Sequence, residues 1–272
     1  MTHSRPAVRE LLTSRGLAPR RERGQNFVAD PNTVRRIAHL AGVGADDRVV
    51  EIGAGLGSLT LALAETGAAV TAIEVDAGLV AVLRDVVAGV PNVHVVEADA
   101  MALDWAGLLG TGASPWVLVA NLPYNVATPL VCDLLDGVPA IARMLVMVQR
   151  EVGERLVAAP GSGAYGAVSV KVAYWATARL AGFVPASVFM PKPNVESALV
   201  EIVRRPPPDI SPHELFPLVR AGFGQRRKML RRSLAGVADA AAFDAAGVAA
   251  TARPEDLALD DWVRLAKAAA AS

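Results

Sequence analysis

The chain has 272 residues, 53% hydrophobic and 20% charged, and its 27 basic side chains are matched by 27 acidic ones. That composition excludes a disordered polymer, and zero formal net charge excludes a global field that would draw the chain onto a polyanion, so any basic surface must be local. The length suits one large domain, or a medium domain with a small appendage. A single cysteine, Cys132, excludes a disulfide framework and a cysteine-built zinc site and fits a reducing cytosol, so a cytoplasmic protein is expected. His3, His39, His94 and His213 are scattered without metal-ligand spacing, and no metal is expected. No stretch approaches the roughly 18 uninterrupted apolar residues of a membrane span, so no membrane partner is expected. The N-terminus lacks the apolar core of a secretion leader.

Residues 1–24 hold six arginines against two glutamates. They read as a polar arm, either a solvated frayed end or a basic arm on a polyanion. Asp30-Pro31 opens a helix, because Asp30 can accept orphan N–H bonds and proline suits the first helical position. Val34, Ile37, Ala38 and Ala41 then mark one apolar face, and Gly42 and Gly44 can end it. Residues 48–52 read as a strand, followed by Gly53-Ala54-Gly55-Leu56-Gly57 and a helical run over 58–66. Strands are predicted again at 69–73, 93–96, 116–120 and 144–148. A helix to about residue 90 and one over 128–135 lie between them. Apolar strands separated by helices imply a mostly parallel sheet covered on both faces. Residues 167–174, 178–184 and 198–203 read as further strands that add an antiparallel edge. Pro206-Pro207-Pro208 is a linker, because a proline run forms neither helix nor central strand. The expected domains are therefore 1–205, α/β with the N-terminal basic arm, and 206–272, a small helical appendage.

The glycine turn lies between a strand and a helix, where glycine allows positive φ and close approach of a ligand. Glu74 ends the next strand, 21 residues after Gly53, where a carboxylate can accept from both ribose hydroxyls. Gly53, Gly55 and Glu74 together point to an adenosine-containing cofactor. The third glycine comes one position early for the dinucleotide fingerprint, with Ser58 where that fingerprint has glycine, which weakens a nicotinamide reading. S-adenosylmethionine, which carries no pyrophosphate, fits better. Asp99, after the third strand, either caps the next turn or accepts from the exocyclic amine of the cofactor adenine.

Asn121-Leu122-Pro123-Tyr124 closes the fourth strand, at the carboxyl edge where open α/β sheets bind ligands. The exocyclic amine of a nucleobase is a poor nucleophile because its lone pair is delocalised into the ring. Two acceptors, the Asn121 amide oxygen and a backbone carbonyl, can bond its two hydrogens and free that pair. Pro123 fixes φ and steadies the carbonyl, and Tyr124 offers a face on which an unstacked base can lie. Residues 189–197 form a stiff loop with two prolines, and Phe189 could be the second stacking plate or core. Residues 220–232 carry six basic side chains and no acid. At helical spacing Arg227 and Arg231 share a face, with Lys228 beside them, and phosphate contact by Arg226, Arg227, Lys228 and Arg231 is expected over a merely solvated face.

Gly24-Gln25-Asn26-Phe27, the Glu51–Thr60 segment, Asn121–Tyr124, the 189–197 loop and Phe223–Lys228 stand in an order that resembles the ribosomal RNA adenine dimethyltransferases, over residues 21–234. Length and the helical appendage are most similar to the KsgA-type small-subunit enzymes. The resemblance implies a class I, Rossmann-like methyltransferase domain that uses S-adenosylmethionine. Its target would be N6 of two adjacent adenosines in the hairpin near the 3′ end of 16S rRNA, within a small ribosomal subunit or its precursor. It further implies that Asn26 and Val28 contact cofactor, Gly53 lies beneath its methionine part, Glu74 holds the ribose and Asp99 the adenine. Asn121 would sit between cofactor and base, with Tyr124 and Phe189 flanking that base. Val28 replaces the family's usual leucine, a small loss of volume.

Three alternatives remain at this level. A large-subunit rRNA methyltransferase that confers antibiotic resistance would share every catalytic motif. A non-catalytic ribosome-assembly or transcription factor could use the same fold, against which the intact Asn121–Tyr124 segment weighs. A DNA adenine methyltransferase commonly starts this segment with an acid, so Asn121 and the basic residues 226–228 weigh against it.

Overall fold

The computed structural model describes residues 2–20, 24–110 and 114–271. In chain order the elements are α1 (Arg5–Ser14), β1 (Phe27–Val28), α2 (Pro31–Ala41), β2 (Arg48–Ile52), α3 (Ser58–Ala64), β3 (Ala69–Glu74), α4 (Ala77–Val86) and β4 (Val93–Glu97). There follow α5 (Trp105–Leu109), β5 (Trp116–Asn121), α6 (Ala127–Gly137), β6 (Ile141–Gln149), α7 (Arg150–Leu156), α8 (Ala167–Trp175), β7 (Ala176–Val184), β8 (Phe189–Met190) and β9 (Ser197–Arg204). The chain closes with α9 (Pro212–Gly224), α10 (Leu230–Ser233), α11 (Ala240–Ala246) and α12 (Leu259–Ala271). Two compact units result, Met1–Gly153 with Arg179–Val203, and Glu154–Ala178 with Arg204–Ser272. The second unit resumes at Arg204, beside the proline run, and in addition takes residues 154–178, which strand-like patterning assigns to the first. Among the described residues no helix is long and apolar enough to cross a membrane.

In the first unit a seven-stranded sheet runs β4-β3-β2-β5-β6-β9-β7. β2 is parallel to β3 and to β5, β3 to β4, and β5 to β6, whereas β9 is antiparallel to β6. The strands are apolar on both faces because helices cover both, and Val49, Val50, Leu118 and Val119 are all 0% exposed. α2 forms as its sequence dictates. Asp30 accepts from the Thr33 N–H at 3.0 Å, Pro31 takes the first position, and Gly42 ends the helix at φ 57°. Val34, Ile37, Ala38 and Ala41 then pack with Val49, Leu63, Val117 and Leu145. Each fully buried aliphatic side chain of this kind contributes about 1.5–3 kcal/mol.

The structure corrects two expectations. The N-terminal arm is not a frayed end. Residues 5–14 form α1, whose Val8 and Leu12 are buried against Phe27, Leu56 and Leu79. An apolar i, i+4 pair hidden among arginines is what anchors it; Arg21, Glu22 and Arg23 lie outside the described residues. Residues 167–174 are helix α8 rather than a strand. Their β-branched and aromatic content suggests a strand, but Val170 and Tyr174, four apart, both bury in the core of the second unit, and that packing overrides propensity.

That second core centres on Trp262, 0% exposed, with Leu215, Val219, Leu230, Phe243 and Leu265. Gly222 makes room for the indole: a Cβ there would lie 2.6 Å from Trp262 Cη2. α9 starts with a reciprocal cap, in which Ser211 Oγ accepts from the Glu214 N–H and Glu214 Oε2 accepts from the Ser211 N–H.

Gly57 joins β2 to α3 at φ +84°, and a Cβ there would lie 2.9 Å from Leu83 Cδ1 and 3.2 Å from Val86 Cγ1 on α4. Gly57→Ala combines a left-handed backbone penalty with overpacking. It should cost about 2–4 kcal/mol of stability in urea unfolding.

Candidate functional site

The strand order reverses between β2 and β5, and a cavity of about 410 Å3 opens at the carboxyl ends of the strands there. This is the expected ligand position in an open α/β sheet, and the volume suits a nucleoside-sized molecule. Its lining includes Asn26, Val28, Gly53, Gly55, Glu74, Asp99 and Asn121, so all the residues expected to hold a cofactor come together.

The glycine turn is shaped by what surrounds it. Gly53 and Gly55 have φ of +73° and +58°, and a Cβ on Gly55 would press on the Phe27 ring at 3.1 Å. Glu74 is 6% exposed. Its Oε2 accepts from the Gly55 N–H at 2.8 Å, and its Oε1 accepts from the N–H groups of Val75 and Asp76, each at 3.0 Å. These three bonds hold the carboxylate at the cavity wall. They also occupy three of its roughly four acceptor sites, so holding two ribose hydroxyls requires one bond to be shared or released. Asp99 satisfies both of its readings. One oxygen caps the next turn by accepting from the Met101 N–H at 2.9 Å, while the residue lines the cavity.

Two further residues belong to the site and were given no role from sequence. Glu51 is 1% exposed on β2 and lines the cavity. Burial, opposed by a 2.6 Å hydrogen bond from Thr60 Oγ1 and reinforced by the nearby Glu74 charge, pushes its pKa up to about 8. The signal available in sequence was an acid between Val50 and Ile52 in a buried strand. Ser58, 8% exposed, also lines the cavity, and its buried Oγ has no hydrogen-bond partner among the described residues. A hydroxyl left so at a cavity wall suits a polar ligand group.

At the end of β5, Asn121 Nδ2 donates to the Asn26 carbonyl at 3.0 Å. A carbonyl can only accept, so the amide nitrogen must face it, and the amide oxygen is the end left to accept at the cavity. Leu122 is 1% exposed, and its N–H donates to the Met147 carbonyl at 3.0 Å. Its side chain anchors the loop in the core, so its part in the site is limited to the carbonyl ahead of Pro123. Tyr124, in this loop, is half-buried and is not among the residues that line the cavity; its hydroxyl meets Ser197 Oγ at 2.9 Å, and burial raises its pKa. Phe189 is a correction. It is 0% exposed, packed among Val28, Val34 and Leu199, and it does not line the cavity. Pairing of β8 with β1 sets Phe189 opposite Val28, which turns the ring into the core instead of toward a base.

The basic segment of the second unit also differs from expectation. α9 ends at Gly224 and α10 starts at Leu230, so 225–229 is not helical and Arg227 and Arg231 do not share a continuous helix face. Arg226 is engaged in structure, its Nε donating to Glu255 Oε2 at 2.7 Å and its Nη2 to the Gly163 carbonyl at 2.9 Å. Arg227, Lys228, Arg231 and Arg232 are exposed. The segment is held in place by backbone bonds from Leu230 N to Ala252 O and from Arg231 N to Ala250 O, at 2.8 and 3.0 Å.

A family model described as ribosomal RNA adenine dimethylase matches residues 17–271. The ribosomal RNA small subunit methyltransferase A of Cutibacterium acnes is 47% identical over 281 residues, covering 97% of this chain and 93% of the relative. That of Streptomyces coelicolor is 48% identical over 273 residues, with coverage of 96% and 94%. Among solved structures, the 23S rRNA methyltransferase ErmE matches with a TM-score of 0.68 at 27% identity, over 89% of this chain and 98% of that one. A dimethyladenosine transferase from Plasmodium falciparum shares the fold, with a TM-score of 0.74 at 22% identity over 87% and 94% of the two chains. A match that runs through both units, and identity near one half from end to end, leave one conclusion: the chain belongs to the ribosomal RNA adenine dimethylase family.

Proposed function

We propose that this protein transfers methyl groups from S-adenosylmethionine to N6 of two adjacent adenosines in the hairpin near the 3′ end of 16S rRNA. The product is N6,N6-dimethyladenosine, made in the cytoplasm during small-subunit biogenesis. The observation that carries the reading is the Asn121 amide, oriented by the Asn26 carbonyl at the mouth of the cavity. Relatives named as small-subunit methyltransferases favour that substrate over the large subunit.

The cavity fits S-adenosylmethionine. The glycine turn allows close backbone approach, Ser58 holds an unpartnered hydroxyl, and Glu74 and Asp99 are acceptors for ribose and adenine. When bound, the cofactor supplies an electrophilic methyl group on a positively charged sulfur. Asn26, Val28, Gly53 and Gly55 would line its amino-acid part. Asn121 Oδ1 and the Leu122 carbonyl accept from the adenine N6 hydrogens, which draws that nitrogen toward tetrahedral geometry. Tyr124 lies against the base, its ring steadied by Ser197. No side chain is needed as a base, since the nitrogen becomes acidic once it carries an additional substituent and can lose its proton to water. Positioning alone can supply several kcal/mol. After the first transfer one N–H remains, so the second requires the same acceptors with the amine rotated. The first unit carries this chemistry. Exposed Arg227, Lys228 and Arg231 in the second contact RNA phosphates.

Labelled methyl transfer to unmethylated small and large subunits, read as modified nucleosides, tests the reading. Dimethyladenosine in the small subunit is expected; label confined to the large subunit would move the protein to the resistance branch. Asn121→Ala should lower turnover by roughly a hundredfold while cofactor affinity, measured by calorimetry, changes little. Equal losses in both would remove Asn121 from the chemistry. Replacing Arg227, Lys228 and Arg231 together by alanine should make log affinity for RNA less steep against log salt, by roughly one for each phosphate left without its cation.

Glu51 makes a separate prediction. Its folded pKa of about 8 exceeds the ordinary 4.5, so between those values the native state keeps a proton that the unfolded chain has released. This contribution to stability is fully present below pH 4.5 and is lost as pH rises through about 8. Glu51→Gln keeps an acceptor for Thr60 without titrating. Its urea midpoint should therefore fall less than that of the wild type between about pH 5 and about pH 9.

A further inference from the structure

We propose that α1 and the residues leading into it are a positioning element for the site: they brace the glycine turn and the start of the 189–197 loop together, so that cofactor binding and docking of α1 strengthen each other. This rests on the cavity being the S-adenosylmethionine site. Its principal contacts come from residues 3–12, before the first position that the family model matches, residue 17.

Three independent contacts carry it. His3 Nε2 lies 2.9 Å from the Leu56 carbonyl, within the glycine turn. The carbonyl can only accept, so His3 donates, and the imidazole tautomer follows from that. Arg5 Nη2 donates to the carbonyls of Ser187 at 2.5 Å and of Phe189 at 3.1 Å, the latter on β8. Between these anchors Val8, 0% exposed, and Leu12, 3% exposed, pack with Phe27, Leu56 and Leu79. All three of those partners line the cavity on their other side. α1 is thus the outer layer of the cavity wall. Two ion pairs continue the brace along the β3–α4 side. Arg15 pairs with Asp85 on α4, and Arg20 Nη1 with Asp76 Oδ2 at 3.1 Å. Asp76 caps α4 and donates its own N–H to Glu74.

A wall one side chain thick transmits order in both directions. Undocking α1 frees Leu56 and Phe27, which the glycine turn needs in place, and a ligand that orders the turn must therefore hold α1 down. Linkage makes the two effects equal in free energy.

The test is amide hydrogen exchange on the full chain, with and without saturating S-adenosylhomocysteine. Exchange in α1 from Val8 onward should slow together with exchange in the glycine turn. Protection of the turn with unchanged exchange in α1 overturns the proposal. Protection of neither overturns the cofactor reading itself, and this inference with it. In a second measurement, His3→Ala combined with Arg5→Ala should weaken cofactor binding by on the order of ten-fold. The cofactor KM should rise, with kcat at saturation and helix content by circular dichroism retained. Unchanged affinity in a folded double variant, or a loss of kcat without a rise in KM, counts against it.

Discussion

Reversal of strand order between β2 and β5 is the constraint on which the site depends. The sheet grows through β3 and β4 on one side and through β6 on the other. Connections leaving the carboxyl ends of β2 and β5 must therefore part, and a crevice is left between them. Four parts of the site sit at that edge: the Gly53–Gly57 turn after β2, Glu74 ending β3, Asp99 after β4 and Asn121 ending β5. Parallel register brings together four segments that lie far apart in sequence. The central strands β5 and β6 are buried, which is why residues 117–120 and 144–148 are apolar runs without alternation.

Glu51 and Glu74 both line the cavity, and the structure surrounds them differently. Glu74 receives three backbone N–H groups, which replace the water it has lost. Among the described residues Glu51 accepts a single hydrogen bond, from Thr60, and it is more deeply buried, so burial favours its neutral form. Both acids stand at the cavity wall, and their different local donors set them apart. The Asn121 amide obeys similar logic, since a neighbouring carbonyl orients a group that would otherwise rotate.

Zero net charge conceals a division of labour. In the basic segment of the second unit, Arg226 is held by Glu255 and the Gly163 carbonyl, whereas Arg227, Lys228 and Arg231 face solvent. Three arginines of the N-terminal segment are instead engaged within the first unit. Arg5 donates to the carbonyls of Ser187 and Phe189, and Arg15 and Arg20 pair with acids on α4 and at its cap. Charge counted along the chain therefore says less than charge counted after folding, because a guanidinium matched to a carboxylate or carbonyl is no longer offered to phosphate.

Local signals determined much of this protein. Caps, apolar periodicity and glycine turns are short-range, so Asp30, the β2 strand, the Gly53–Gly57 turn and the acid at Glu74 were legible from sequence, as was the Asn121–Tyr124 segment. Other features depend on which surface meets which. Val8 and Leu12 become an anchor only because Leu56 and Phe27 offer them a partner. Residues 167–174 become a helix because Val170 and Tyr174 share a core with Trp262. Phe189 turns inward because β8 pairs with β1, and Arg226 is occupied because Glu255 folds back to it. The Glu51 pKa is raised because the sheet buries it, with the Glu74 charge nearby. The sequence by itself determined the fold class, most of the strands and which polar residues stand at their carboxyl ends. Only the tertiary structure decided which side chains remain available there, because burial and pairing are properties of neighbours that the chain meets after it has folded.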